Sequence, residues 1–318
     1  MSETVAVVIL NYNSYEDTNN CIKSFLKAHQ NYKKVFSFII VDNNSTNNSV
    51  EKINKFIIQD IKKEVHQLTE NYERNILNNS FFTILKLTKN YGYAKGNNLG
   101  IRLAIKKGAE YLLILNSDII ITENILDPLM KFKKTHAGYA LVSPILYTKK
   151  DIIDYNCARK SPSDFDIFIE FTFLRKIPFF KKIIDKRYIL KNVDLQNIDF
   201  IDIDLPSGSC MFCESALMKK INFFDENTFL YYEENILYEK IKSEGLKNAL
   251  LLSVSAIHLG AQTTSKSSNY QIVNFNYQSA LYYLRKFRIH TYFLIGYLKI
   301  RQKLILKYLK FKSIRKKN

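Results

Sequence analysis

Four short apolar runs, each closing on a cluster of Asn, Asp or Ser, constrain this chain more than any other feature. Residues 5–10 lead into Asn11-Tyr12-Asn13, and residues 38–41 into Asp42-Asn43-Asn44-Ser45. Residues 83–87 lead towards Asn90-Tyr91-Gly92, and residues 111–115 into Asn116-Ser117-Asp118. None alternates apolar with polar, so each reads as a strand covered on both faces, the condition of a parallel sheet. Helical patterns lie between them. Ser14 with Asp17 resembles a capping arrangement, after which Ile22, Phe25 and Leu26 recur at helical spacing. Residues 48–58 and 97–107 read as two further helices. The alternation predicts an α/β doubly wound, mostly parallel sheet with helices on both faces.

Function follows from where the polar residues fall. In an open α/β sheet, ligands bind in the crevice beyond the carboxyl ends of the strands. Here every strand ends in side chains able to hydrogen-bond a base, a ribose or a phosphate, and Asp118 adds an acid suited to a hard metal ion. Any one such cluster is also explained by turn and cap chemistry. Four strands ending alike point to a nucleotide site.

The remainder is less regular. Residues 59–80 form a polar, charged insertion that reads as helix and surface loop. Residues 147–200 mix Lys and Arg with Phe165, Phe168, Phe171, Phe173, Phe179 and Phe180, and contain Pro162 and Pro178. A mobile or membrane-near flap and a buried hydrophobic core are both open readings of that stretch. Regular structure resumes at 201–204 and 205–210. A helix over 213–221, a loop through Asp225, a helix over 233–244 and a strand over 249–257 follow. Cys210 and Cys213 have metal-like spacing, but no second pair or neighbouring His accompanies them, and their apolar surroundings favour core packing. With only four cysteines the expectation is a reducing compartment. The apolar run at residues 5–10 is too short and lacks the basic start of a signal peptide, and no stretch reaches the ~18 apolar residues of a membrane span. The expected location is the cytoplasm, or the inner face of the cell membrane.

Read in order, the motifs resemble those of the inverting nucleotide-sugar glycosyltransferases of family 2, which have the GT-A fold. Within that family the nearest likeness is to the rhamnosyltransferase-like branch of bacterial surface-polysaccharide enzymes. The likeness is carried by Ile40-Val41-Asp42-Asn43-Asn44-Ser45, Asn90-Tyr91-Gly92-Tyr93-Ala94-Lys95-Gly96-Asn97, Leu113-Ile114-Leu115-Asn116-Ser117-Asp118, Ser207-Gly208-Ser209, Phe224-Asp225-Glu226, Tyr231-Tyr232-Glu233-Glu234 and His258-Leu259-Gly260. With the first strand and its Asn11-Tyr12-Asn13, these stretches cover residues 4–145 and 200–262 in the family's order.

The resemblance implies a glycosyltransferase domain over 1–262, with a nucleotide-sugar half to about 145 and an acceptor half beyond it. It implies that Asn11, Tyr12 and Asn13 line the nucleotide pocket with Asn90, Gly92, Asn116 and Ser117, and that Asp42 accepts a hydrogen bond from a pyrimidine. Asn97 stands where the family often has an Arg facing the nucleotide. Asn116-Ser117-Asp118 takes the place of the Asp-x-Asp motif, making Asp118 the carboxylate ligand of Mg²⁺ or Mn²⁺ and His258 a further metal or phosphate ligand. Glu234 is the expected base, with Glu233 beside it, although the family usually has Glu-Asp here and another acid where this chain has Ile236. The donor would be UDP-, TDP- or GDP-linked, and the acceptor a glycan or a polyprenyl-linked glycolipid.

The formal charge is +17, but it is unevenly placed: residues 245–318 carry 14 Lys and Arg and no acid, leaving 33 bases against 30 acids before them. Residues 263–318 therefore read as a basic helical extension. Lys299, Lys303, Lys307 and Lys310 share one helical face beside Ile300, Leu304, Tyr308 and Phe311, the pattern of a helix lying on an anionic membrane. A nucleic-acid-binding protein fits poorly, since the basic patch is confined to the tail and no recognised binding motif accompanies it. A nucleotidyltransferase would need a glycine-rich phosphate loop after the first strand, and residues 11–17 have none.

Overall fold

The computed structural model describes residues 4–72, 80–260 and 269–315, with side chains to 312 in the last helix. The elements run β1 (Thr4–Asn11), α1 (Tyr15–Ala28), β2 (Val35–Asp42), α2 (Ser49–Phe56), β3 (Val65–Thr69), β4 (Phe82–Lys86), α3 (Gly92–Lys106), β5 (Tyr111–Asn116), β6 (Ile119–Ile120), α4 (Leu126–Thr135) and β7 (Tyr139–Thr148). They continue with β8 (Ala158–Arg159), α5 (Asp164–Glu170), α6 (Pro178–Asp185), β9 (Phe200–Ile203), β10 (Leu205–Pro206), β11 (Cys210–Glu214), α7 (Ser215–Lys220), α8 (Glu233–Ser243), β12 (Lys247–His258), α9 (Asn269–Phe287) and α10 (Tyr292–Arg315).

Ten strands make one sheet in the order β3-β4-β2-β1-β5-β11-β7-β12-β6, with β9 also paired to β12. The pairings from β3 to β5 are parallel, as is β7 with β12, whereas β11 runs against both its neighbours. Register sets the position of the site. Asn11 pairs with Asp42, and Leu10 with Asn116, so the polar strand ends lie side by side.

Alternate residues of β1 serve opposite faces. Val5, Val7 and Ile9 join a core with Phe25 of α1, Ile53 of α2 and Leu129 of α4. Ala6 and Val8 join another with Ile101 of α3, Met218 of α7 and Ile241 of α8. The sheet is thus doubly covered, as its unbroken apolar strands require. A third core unites Ile167 of α5, Ile236 of α8, Tyr283 and Leu284 of α9, and Leu294 and Leu298 of α10, which fastens the C-terminal helices to the body.

Several local details differ from the sequence expectation. The Ser14 side chain makes no cap bond to α1; it is buried among the strand ends and hydrogen-bonds the Asn11 side chain at 3.3 Å and that of Ser117 at 3.1 Å. α3 begins at Gly92 rather than at 97, because the Asn43 and Asn90 side chains accept the Tyr91 and Gly92 amides at 2.9 Å each. Within the polar insertion 59–80 lies the edge strand β3, whose polarity reflects its place at the rim of the sheet, with Leu68 its buried residue. β11 extends to Glu214, so the helix expected from 213 starts at Ser215. Residues 147–200 divide between the two readings: Ile167, Ile169 and Phe171 are buried, whereas Phe165, Phe173 and Phe179 are exposed. All four cysteines are free and buried. The boundary expected at 262 lies outside the described residues.

Candidate active site

The carboxyl ends of β1, β2 and β5 form a dense polar network. Asn11, fully buried, donates from Nδ2 to Asp42 Oδ1 at 2.7 Å and to Ser45 Oγ at 3.1 Å, while its Oδ1 accepts from Thr18 at 2.9 Å. The other Asp42 oxygen accepts the Ser45 amide at 3.0 Å. Both Asp42 oxygens are therefore engaged by protein donors, and a base approaching this carboxylate would share them. Asn13 adopts a left-handed conformation (φ 55°), one that Asn tolerates, and its Oδ1 accepts the Thr46 amide at 2.7 Å. Tyr12 beside it is half-buried.

Two of the expected ligand residues also serve the packing of the chain. Gly92 has φ +78°, and a Cβ there would lie 2.1 Å from the Phe229 carbonyl oxygen, so glycine is required by chain packing. Asn97 is fully buried within α3, where Nδ2 donates to the Tyr93 carbonyl at 3.0 Å and Oδ1 is without a partner.

The short strand β6 pairs with the end of β12 and brings Asp118 to His258. His258 Nε2 lies 3.5 Å from Asp118 Oδ2, and its Nδ1 lies 2.9 Å from Asp154 Oδ2. Burial opposes protonation of this imidazole, but the two carboxylates outweigh it and lift its pKa to about 9. Asp154 is a residue that sequence reasoning missed: it lies 104 positions from His258, with no motif around it. No three His, Cys, Asp or Glu side chains among the described residues converge as a metal shell. Asp118 offers a carboxylate to a hard cation that completes its coordination with waters and substrate phosphate, and His258 becomes a second donor once it gives up its Nε2 proton.

The second charged centre lies at the start of α8. Tyr231 and Tyr232 both adopt left-handed backbone conformations (φ 75° and 66°), a strained pair that turns the chain sharply into the helix. Glu233 and Glu234 follow. Glu234 Oε1 accepts the Gly208 amide at 3.0 Å, with Arg159 Nη2 at 3.8 Å, and the side chain stays 22% exposed. A Cβ on Gly208 would sit 2.9 Å from the Tyr93 hydroxyl and 3.0 Å from Glu234 Oε1, so this glycine makes room for the carboxylate. The Tyr93 hydroxyl donates to the Gly208 carbonyl at 2.5 Å; burial, then the charges of Glu234 and Glu233, push its pKa up and keep it a donor. Glu233 differs from its neighbour: it is buried, its Oε1 has no partner, and burial together with the Glu234 charge raises its pKa to about 8.

One cavity of about 340 Å³ joins the two centres. Asn116 and His258 line it together with Glu233, Glu234 and Arg159, and Asn276 of α9 closes part of its wall. Arg187, paired with Glu170 at 2.6 Å, lies at its margin. Glu234 and His258 thus face one solvent space, an arrangement able to take a proton at one end and meet an anionic leaving group at the other.

Comparison with known proteins agrees with this geometry. The family described as "Glycosyl transferase family 2" matches residues 6–212. The low-salt glycan biosynthesis hexosyltransferase Agl10 of Haloferax volcanii is 24% identical over 274 residues, 86% of this chain and 73% of that protein. The glycosyltransferase GlyG of Streptococcus pneumoniae is 33% identical over 130 residues, 41% of this chain and 35% of its own length.

Proposed function

The chain belongs to glycosyl transferase family 2, and from that premise we propose an inverting transfer of a sugar from a nucleotide-diphosphate donor to a hydroxyl of a glycan or polyprenyl-linked glycolipid acceptor. The observation that carries the reading is the Glu234 carboxylate, held by the Gly208 amide and open to the cavity that also contains His258. Surface-polysaccharide synthesis is the role we assign.

In this reading the donor nucleotide lies across the ends of β1, β2 and β5, against Asn11, Tyr12, Asn13 and Asp42, with Asn116 and Ser117 beneath its diphosphate. Asn90, Gly92 and Asn97 complete the nucleotide pocket from the side of α3. Glu234 takes the proton from the acceptor hydroxyl as that oxygen attacks the anomeric carbon. The new C–O bond forms on the face opposite the diphosphate, the bond to the leaving oxygen breaks, and the nucleoside diphosphate departs with the electron pair. Arg159 and the Gly208 amide hold the Glu234 carboxylate in position before attack. Glu233, largely protonated near neutral pH, does not compete for the role. Asp118 and His258 would hold Mg²⁺ or Mn²⁺, with Asp154 fixing the imidazole so that Nε2 faces the cation. When bound, such a cation supplies positive charge against the diphosphate leaving group.

Residues 1–262 form the transferase unit in this scheme, and 263–318 a helical extension. No helix among the described residues is long and apolar enough to cross a membrane. We place the protein at the inner face of the cell membrane, held by α10, where Lys299, Lys303, Lys307 and Lys310 are exposed beside Ile300, Leu304, Tyr308 and Phe311.

A thermal-shift screen of UDP-, TDP- and GDP-sugars with Mn²⁺ identifies the donor. Nucleoside diphosphate release with a lipid-linked or free glycan acceptor, followed by NMR of the product anomer, then tests the reaction. A product that retains the donor's anomeric configuration refutes the assignment of Glu234 as base in an inverting step.

A further inference from the structure

The segment between Phe171, in the third core, and Ile189, in the first, does not behave as a folded surface ought to. Helix α6 has no buried residue, and Phe173 and Phe179 are 68% and 67% exposed. Ile177 is also exposed, as are Arg175, Lys176, Lys181 and Lys182 around these apolar side chains. Between 173 and 186 there are five Lys and Arg and a single acid, Asp185, which pairs with Lys191 at 2.9 Å. Isolated exposed hydrophobes are ordinary, but two exposed phenylalanines set among cations of one sign, one in the turn before α6 and one in α6 itself, are not.

The segment is also well placed. The Phe165 ring of α5 meets Phe180 at 6.4 Å, and Phe168 of α5 meets Tyr297 of α10 at 5.4 Å, so α5 joins α6 to the C-terminal helix. Phe293 of α10 is 82% exposed. On the other side, Glu170 ends α5 and Arg187 follows α6, and both line the cavity.

We infer that the segment from Phe173 to Asp185 is a second membrane-docking element, which inserts Phe173 and Phe179 at the headgroup level of an anionic bilayer while Arg175, Lys176, Lys181 and Lys182 meet lipid phosphates. The charge commits the choice of occupant. A cationic rim around a small apolar tip is the complement of an anionic lipid surface, where long basic side chains reach the headgroups as their stems lie along the apolar layer. The inference rests on the membrane part of the reading above and adds a consequence: with α6 docked, the margin of the cavity lies at the lipid surface, where a lipid-linked acceptor enters without leaving its membrane.

The test is co-sedimentation of the full chain with vesicles of phosphatidylcholine, alone or mixed with phosphatidylglycerol. Three variants are compared: Phe173→Ser with Phe179→Ser, Lys181→Ser with Lys182→Ser, and Lys299→Ser with Lys303→Ser in α10. All six side chains are exposed, so thermal midpoints should match the unmodified protein. We expect the Phe pair to weaken binding to mixed vesicles by more than about tenfold. The Lys181 pair should weaken it by about fivefold per charge, with no effect on neutral vesicles. Full binding by both variants of the 173–185 segment with loss in the α10 variant alone overturns the inference and leaves the tail as the anchor. No vesicle binding by the unmodified protein overturns both. A dimer that becomes monomeric in the Phe variant, without vesicle binding, shows the face to be a contact between copies and also overturns it. Donor thermal shifts on the same preparations report separately on the transferase reading.

Discussion

The Nδ1 nitrogen of His258 lies 2.9 Å from Oδ2 of Asp154, which leaves Nε2 directed at Asp118. A carboxylate on the far nitrogen of a metal-binding imidazole fixes its tautomer and ring orientation, and losing it costs 10- to 100-fold in metal affinity as a rule. Asp154→Ala is therefore expected to weaken Mn²⁺-dependent nucleotide binding by about that factor, measured by calorimetry, while nucleotide binding without metal is unchanged. Equal loss in both conditions would assign Asp154 to the fold instead.

Asp118→Ala and Glu234→Gln should separate binding from chemistry. Both are expected to reduce transfer severely, the second by about 10²- to 10⁴-fold as a lost general base. Only Asp118→Ala should weaken metal-dependent nucleotide binding. Normal turnover in Glu234→Gln would remove it as the base.

Gly208, in the loop between β10 and β11, is the contact that places Glu234. A Cβ at 3.0 Å from Oε1 and 2.9 Å from the Tyr93 hydroxyl forces one of the two aside. Gly208→Ala should lower kcat by about 10²-fold, the cost of a small misplacement at the reacting centre, with donor affinity retained. Steady-state kinetics beside donor titration reads this split.

Glu233 links stability to pH. Its carboxyl pKa is near 8 in the folded protein, above the ordinary 4.5, so between these values the folded state holds a proton that the unfolded state has released. Its contribution to stability is present below about pH 4.5 and declines as pH rises through 8. Glu233→Gln should flatten that decline, so that melting temperatures of the two proteins diverge in the variant's favour from pH 5 to pH 8. Parallel curves would contradict it.

Leu298 is fully buried in the third core. Leu298→Ala should cost about 2–5 kcal/mol, as a cavity in a packed site does, seen in urea unfolding. Cutting the chain at 287 would expose Tyr283 and Leu284, so membrane assays belong to surface substitutions in α10 rather than to truncation.

What sequence shows and hides here divides by distance along the chain. The strand ends at Asn11, Asp42 and Asn116 are legible because apolar run and polar stop are local signals, and the parallel sheet follows from them. Glu234 is legible for the same reason, lying in a recognisable run. Asp154 and Arg159 are not: Asp154 meets His258 through a bond spanning 104 residues, and Arg159 reaches Glu234 from the small β8–β10 ribbon. The start of α3 is hidden because it depends on Asn43, a side chain just past the end of β2 and 48 residues from Tyr91. β3 was hidden because an edge strand buries one residue and carries little apolar pattern.

Asn276, seven residues into α9, is part of the cavity wall. The C-terminal extension is thus not an appendage that can be exchanged for solubility or targeting alone. A chimaera that keeps residues 1–262 and borrows its last helices from another protein would rebuild one side of the chamber, and any change in which acceptors it uses would have to be traced first to that graft.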